Sequence, residues 1–116
     1  MTESQEQTAF VEWFRLQYPK EIVFAIPNGA NKSIATAMKF KREGLRPGVP
    51  DLFIATQPGI FIEMKAKTGR VSKKQKEMIA ALRGKGYIAE VCFGFEEAKA
   101  LANKYLNPLD KRNERE

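Results

Sequence analysis

Asp51, Glu63 and Lys65 are the residues whose types and spacing could do chemistry. They interrupt the stretch "GVPDLFIATQPGIFIEMKAK" (48–67), which otherwise reads as two apolar strands joined by a tight turn. Asp51 opens the first strand, and Glu63 and Lys65 sit inside the second. Mg²⁺ takes oxygen ligands in octahedral geometry and keeps several waters, so one or two carboxylates from paired strands suffice to hold it. The backbone carbonyl of Met64 could supply a further ligand. Side chains two residues apart on a strand share a face, which puts Lys65 beside Glu63. There its amine could hold an attacking water and neutralise charge building on a phosphoryl group. A bound cation would lower the pKa of its water and polarise the phosphate. The set suits hydrolysis of a phosphodiester with Mg²⁺ or Mn²⁺ as cofactor.

The rest of the composition narrows the alternatives. The chain has 116 residues and no histidine. Ser-His and Cys-His nucleophile pairs, histidine bases and the usual His-bearing zinc sites are therefore excluded. No Gly-x-x-x-x-Gly-Lys-Ser/Thr loop is present, so no nucleotide cofactor is expected. Lys and Arg number 20 against 14 acids, a net charge of +6 that favours contact with a polyanion such as DNA. Many inert small domains are equally basic. No apolar run approaches the roughly 18–20 residues that cross a bilayer, so no membrane partner is expected. The polar start "MTESQEQTAF" does not read as a secretory signal. The lone Cys92, in the apolar run "YIAEVCF", is expected to be a buried small hydrophobe in a reducing cytoplasm.

The chain is expected to be one domain over 1–107 with a flexible tail over 108–116. A first helix is predicted over 4–17, with "SQEQ" as capping box and Ser4 as N-cap. Its apolar face would comprise Ala9, Phe10, Trp13, Phe14 and Leu16, with Glu12 on the border. "EIVFAI" (21–26) reads as a short strand closed by "PNG", and "NKSIATAMKFKRE" (31–43) as a basic helix ending at Gly44. "LRPGVP" is a loop delivering Asp51 to the strand "DLFIAT". "QPG" is read as the turn, with Gly59 at positive φ, and "IFIEMKAK" as the partner strand. A second capping box, "SKKQ", starts a helix over about 72–85. "YIAEVCF" is a strand and "FEEAKALANKYL" a last helix. Strand, helix, strand from 60 to 93 is a crossover unit with parallel strands, whereas the "QPG" pair should be antiparallel. The fold class is α/β, a mixed sheet flanked by helices in the order α-β-α-β-β-α-β-α.

A bland reading competes with the chemical one. Ile60, Ile62, Met64 and Ala66 alternate with Phe61, Glu63, Lys65 and Lys67, as in any strand with one face in water. Hairpin parity separates the two readings, because directly opposed residues project to the same face. A two-residue turn would place Asp51 opposite Ala66, away from Glu63. A three-residue loop would set it opposite Lys65, and a five-residue loop opposite Glu63 itself. Chemistry requires an odd loop or a bulge; a solvated strand requires neither.

"PD", eleven intervening residues and then "EMK" match the Pro-Asp…Glu-x-Lys signature of the restriction-endonuclease-like PD-(D/E)XK superfamily. The surrounding "NGA", "GLRPGVPDLFIA" and "GIFIEMKAKTGRVSKKQKEMIAALRGKGYIAEV" are more specific, and over residues 9–95 the chain resembles the VRR-Nuc family of stand-alone phage and bacterial nucleases. That resemblance implies a restriction-endonuclease-like fold and a divalent-metal-dependent nuclease. It implies Asp51 and Glu63 as metal ligands, Lys65 as the catalytic lysine, Glu12 as the acid of the first helix and Gln75 as a further site residue. It also implies a homodimer acting on branched DNA such as four-way junctions. A monomeric flap or nicking nuclease, and a non-catalytic DNA-binding module of the same fold, stand as alternatives.

Each of these positions has an ordinary structural explanation beside the functional one. Gln75 is also the N3 residue of its capping box, and Glu12 could be solvated at a helix border. Asn28 is a turn-type residue. Lys32, Lys39, Lys41, Arg42 and Arg46 could be a solvated helix face or a patch binding DNA phosphates. Lys67, Arg70, Lys73 and Lys74 could extend that patch near a helix N-terminus. Trp13 and Phe14 are expected in the core.

Overall fold

The computed structural model describes residues 1–27 and 33–106. Its elements are α1 (Glu3–Gln17), β1 (Val23–Ala25), α2 (Ile34–Arg42), β2 (Leu52–Ile54), β3 (Ile60–Lys65), α3 (Lys73–Gly84), β4 (Ile88–Phe93) and α4 (Phe95–Tyr105). This is the expected α/β order. The strands form one mixed sheet, β1-β2-β3-β4, antiparallel from β1 to β3 and parallel between β3 and β4. The crossover through α3 supplies the connection that a parallel pair needs.

The core lies on one face of the sheet. Leu52, Ile54, Ile60, Ile62 and Met64 are wholly buried there against Phe10 and Phe14 of α1 and Ala98 and Ala102 of α4. Each such large side chain contributes roughly 1.5–3 kcal/mol on leaving water. Trp13 packs edge-on to Tyr18 and Phe95, so it belongs to this core, as expected, along with Phe14. Cys92 is buried, and burial pushes its thiol up to about 12. Leu16, expected on the apolar face, is 85% exposed. It follows Phe14 by two positions, about 200° around the helix, and therefore points away from the sheet.

Several local expectations shift. The cap of α1 is Thr2, not Ser4: Thr2 and Gln5 form the reciprocal box, so the helix begins earlier. "TESQ" and "SQEQ" both fit the pattern, and the first places Glu6 where the fold needs it. Glu6 is buried in α1, and its Oε1 accepts a hydrogen bond of 2.8 Å from the N–H of Phe95. The N-cap of α4 is Gly94, which has no side chain to do this. Gly94 N–H in turn donates to the Lys65 carbonyl at 2.9 Å, tying the end of β3 to α4. Ser33 caps α2, which ends before Gly44 as expected but buries no residue.

The β2–β3 connection is not a "QPG" turn. Ile54 pairs with Ile60, leaving a five-residue loop over 55–59. Gly59 does not adopt positive φ. Its requirement is space: a Cβ there would lie 2.4 Å from the Phe53 ring.

Candidate active site

The register decides the geometry. Pairing of Ile54 with Ile60 and Leu52 with Ile62 continues to Asp51 beside Glu63, the odd-loop arrangement that chemistry requires. Asp51 Oδ2 accepts a hydrogen bond of 2.8 Å from the Met64 N–H, so the acid is held against β3 by its own side chain. Lys65 Nζ lies 3.6 Å from Glu63 Oε2. Glu63 is 2% exposed and Lys65 9%, so the picture of a strand with its charges in water does not hold.

Burying charges is costly unless they are compensated, and the carboxyls respond. Glu63 is pushed up to about 8, first by burial and then by the Asp51 charge, against the opposing pull of Lys65. Asp51 is also raised, by burial above all, while the Met64 N–H favours its ionised form. Two acids and one lysine in so small a volume leave negative charge in excess.

The third acid is Glu3, not Glu12. One carboxylate oxygen each from Glu3, Asp51 and Glu63 lie within 4.8 Å of one another. Glu3 is the first residue of α1, whose N-terminus reaches this end of the sheet. Glu12 is exposed, nine positions further along. At 100° and 1.5 Å per residue it falls on the opposite side of the helix, about 13 Å along the axis. Thr2 as N-cap was the available signal for Glu3, since it places an acid in the first turn. With Ser4 as cap, Glu3 falls outside the helix.

Gln75 closes its capping box and reaches the site at Glu63, not at Lys65. Its Oε1 accepts from the Ser72 N–H at 2.9 Å, closing the capping box, and its Nε2 donates to Glu63 Oε2 at 3.1 Å. A cleft of about 440 Å³ opens beside Asp51, lined by Glu3, Ser4, Gln7, Thr8, Ile26 and Pro27.

Among the described residues, the basic side chains are spread over separate clefts and exposed surface. Arg46 and Lys74 line a common cleft of about 350 Å³ against α3. Lys73, in the first turn of α3, pairs with Glu77 at 3.8 Å, and Lys39 pairs with Glu43 at 4.0 Å. Lys41, Arg42 and Arg70 are exposed, and Lys67 lines a separate cleft with Met1, Glu6 and Thr68. Asn28 and Lys32 lie outside the described residues.

The donor set fits a hard divalent cation. Three carboxylates converge, Asp51 and Glu63 both raised by burial and Glu63 further by the Asp51 charge, and among the described residues no nitrogen or sulfur ligand joins the cluster. All-oxygen sites suit Mg²⁺ and Mn²⁺, and a cation would relieve the repulsion that the single lysine leaves.

Comparison with known proteins bears on the family and the fold. The sequence profile of the VRR-NUC domain matches residues 1–96. A solved structure described as a "VRR_NUC domain protein" superposes with a TM-score of 0.78 at 29% identity, covering 91% of this chain and 88% of that one. No curated protein matches the chain.

Proposed function

The chain belongs to the VRR-NUC family, a nuclease-type domain, and on that premise we propose that it is a divalent-metal-dependent, structure-selective DNA endonuclease. The observation that carries this reading is the convergence of Glu3, Asp51 and Glu63 within 4.8 Å, with the Lys65 amine 3.6 Å from Glu63. A DNA-binding module has no use for buried acids facing a phosphate, since they repel it.

Asp51, Glu63 and Glu3 would hold Mg²⁺ or Mn²⁺, with the Met64 carbonyl as an additional donor. Such an ion supplies Lewis acidity at the scissile phosphate and a more acidic water. The chain's own residues do the rest. The Met64 N–H orients Asp51, and Gln75 orients Glu63. Lys65, kept beside Glu63 by the strand repeat, holds the attacking water and offsets charge growing on the phosphate oxygens. Arg46 and Lys74, at the neighbouring cleft, bind flanking phosphates without reading sequence. Lys39, Lys41, Arg42, Arg70 and Lys73, and Lys67 from its separate cleft, would add phosphate contacts of their own.

The substrate is branched DNA such as a four-way junction, cut by a homodimer. Symmetric cleavage of two strands needs two sites, and a two-fold pair of these chains provides them. The test compares wild type with Asp51→Ala and Lys65→Ala on a four-way junction, a flap and a plain duplex, with Mg²⁺ or Mn²⁺. Wild type should cleave the junction best, and both variants should lose cleavage while keeping the fold by circular dichroism. Cleavage persisting in either variant, or none by wild type on any substrate, would overturn the assignment.

A further inference from the structure

Asp51 and Glu63 reach the site from different directions: Asp51 at the end of the loop 44–50, Glu63 from within β3 and braced by Gln75 of α3. The loop comes closest to the main chain of α3 at Gly48. A Cβ built on Gly48 would lie 2.7 Å from the Lys74 carbonyl oxygen, 2.9 Å from its carbon and 3.3 Å from the Gln75 nitrogen. These are main-chain atoms in the first turn of a capped helix, which cannot swing aside as a side-chain tip would. Gly48 also sits at φ +87°, where L-residues are strained.

From these contacts we infer that Gly48 is a positioning residue for the catalytic acids, closing a circuit that fixes their separation. The circuit runs from Asp51 back along "GVP" to Gly48, across to the Lys74–Gln75 peptide, and out through the Gln75 side chain to Glu63. It closes through the Met64 N–H, which Asp51 accepts. Pro47 and Pro50 on either side of Gly48 limit how far the loop can flex to absorb a displacement. Pro50, next to Asp51, is fully buried. A methyl group at Gly48 would therefore part the loop from α3 by several tenths of an ångström, and Asp51 and Glu63 would no longer meet one cation together. This inference rests on the nuclease reading and specifies how its site is assembled.

The test is Gly48→Ala against Gly86→Ala. Gly86 has a similar φ of +96° but nothing within 4 Å of its would-be Cβ, so that variant carries the backbone strain without the contact. Gly86→Ala should lose the stability that the backbone strain costs, and Gly48→Ala at least as much. Only Gly48→Ala should lose kcat, on the order of tenfold to a hundredfold as expected for a sub-ångström to 1 Å misplacement, with KM for the junction changed less than about twofold. The second readout is independent of activity: hydrogen exchange at the Met64 amide, which reports its bond to Asp51. It should speed up in Gly48→Ala and stay at the wild-type rate in Gly86→Ala. Wild-type kcat and Met64 protection in Gly48→Ala, or equal losses in both variants, would overturn the inference. If wild type cleaves nothing but Gly48→Ala still releases the Met64 amide, the nuclease reading fails and the positioning of the acids by Gly48 stands.

Discussion

Replacing Glu63 with Gln should destroy activity and at the same time stabilise the protein stripped of metal. Glu63 is 2% exposed, and its carboxyl is pushed from 4.5 up to about 8 by burial and by Asp51. An acid whose pKa is raised by folding favours the folded state fully below the unfolded value. That share is lost as pH climbs from about 4.5 towards 8 and changes no further above it. At roughly 1.4 kcal/mol per pH unit, the metal-free wild type gives up about 3 kcal/mol between pH 4.5 and 7. Gln has the shape of the protonated acid and no charge to bury. Its carbonyl can still accept from Gln75 and Lys65, and its amide can donate to Asp51. Glu63→Gln should therefore melt about 10 °C above wild type at pH 7 in a chelator, taking roughly 4 °C per kcal/mol for a domain of this size. The gap should close by pH 4.5 and widen to pH 8. Adding Mn²⁺ should raise the wild type more than the variant and shrink the difference, since the variant has lost one ligand charge and binds the ion more weakly. Thermal unfolding of both proteins at several pH values, with and without Mn²⁺, measures all of this. A variant no more stable than wild type at pH 8 in chelator, or a gap that ignores pH, would refute the claim that Glu63 is a costly buried charge.

Glu3→Gln should weaken Mn²⁺ binding on the order of tenfold, through loss of one ligand charge, whereas Glu12→Gln should leave it unchanged. Calorimetric titration decides between them, and the opposite ranking would return the helical acid to Glu12. Glu6→Ala should lower stability by about 1–2 kcal/mol, because the Phe95 N–H at the start of α4 loses its acceptor. Urea unfolding at pH 7 reads that loss, and an unchanged midpoint would show that water replaces the carboxylate at no cost.

The element order and the identity of Asp51, Glu63 and Lys65 were legible because they depend on local rules. Alternation in "IFIEMKAK" and the capping box at Ser72 each act over a few positions, and the structure keeps both. The mistakes occurred where two local patterns fit equally well. "TESQ" and "SQEQ" are both capping boxes, and only the packing of α1 against α4, with Glu6 reaching Phe95, selects the first. That choice carried Glu3 into the site and left Glu12 in solvent. Loop length was ambiguous for a similar reason: "QPG" looks like a turn by itself, yet the contact of Gly59 with the Phe53 ring goes with a five-residue connection.

By itself, the sequence determined which groups are present: three acids, one lysine, no histidine, and a strand repeat that keeps Glu63 and Lys65 side by side. Only the tertiary structure decided which acid from α1 joins them, that Gln75 braces Glu63 while capping its own helix, and how closely the loop of Asp51 meets α3. The physical reason is range. Side-chain alternation and capping are settled within a turn or two of chain, whereas the separation of Asp51 from Glu63 depends on sheet register and on a main-chain contact between Gly48 and Lys74, 26 residues apart in sequence.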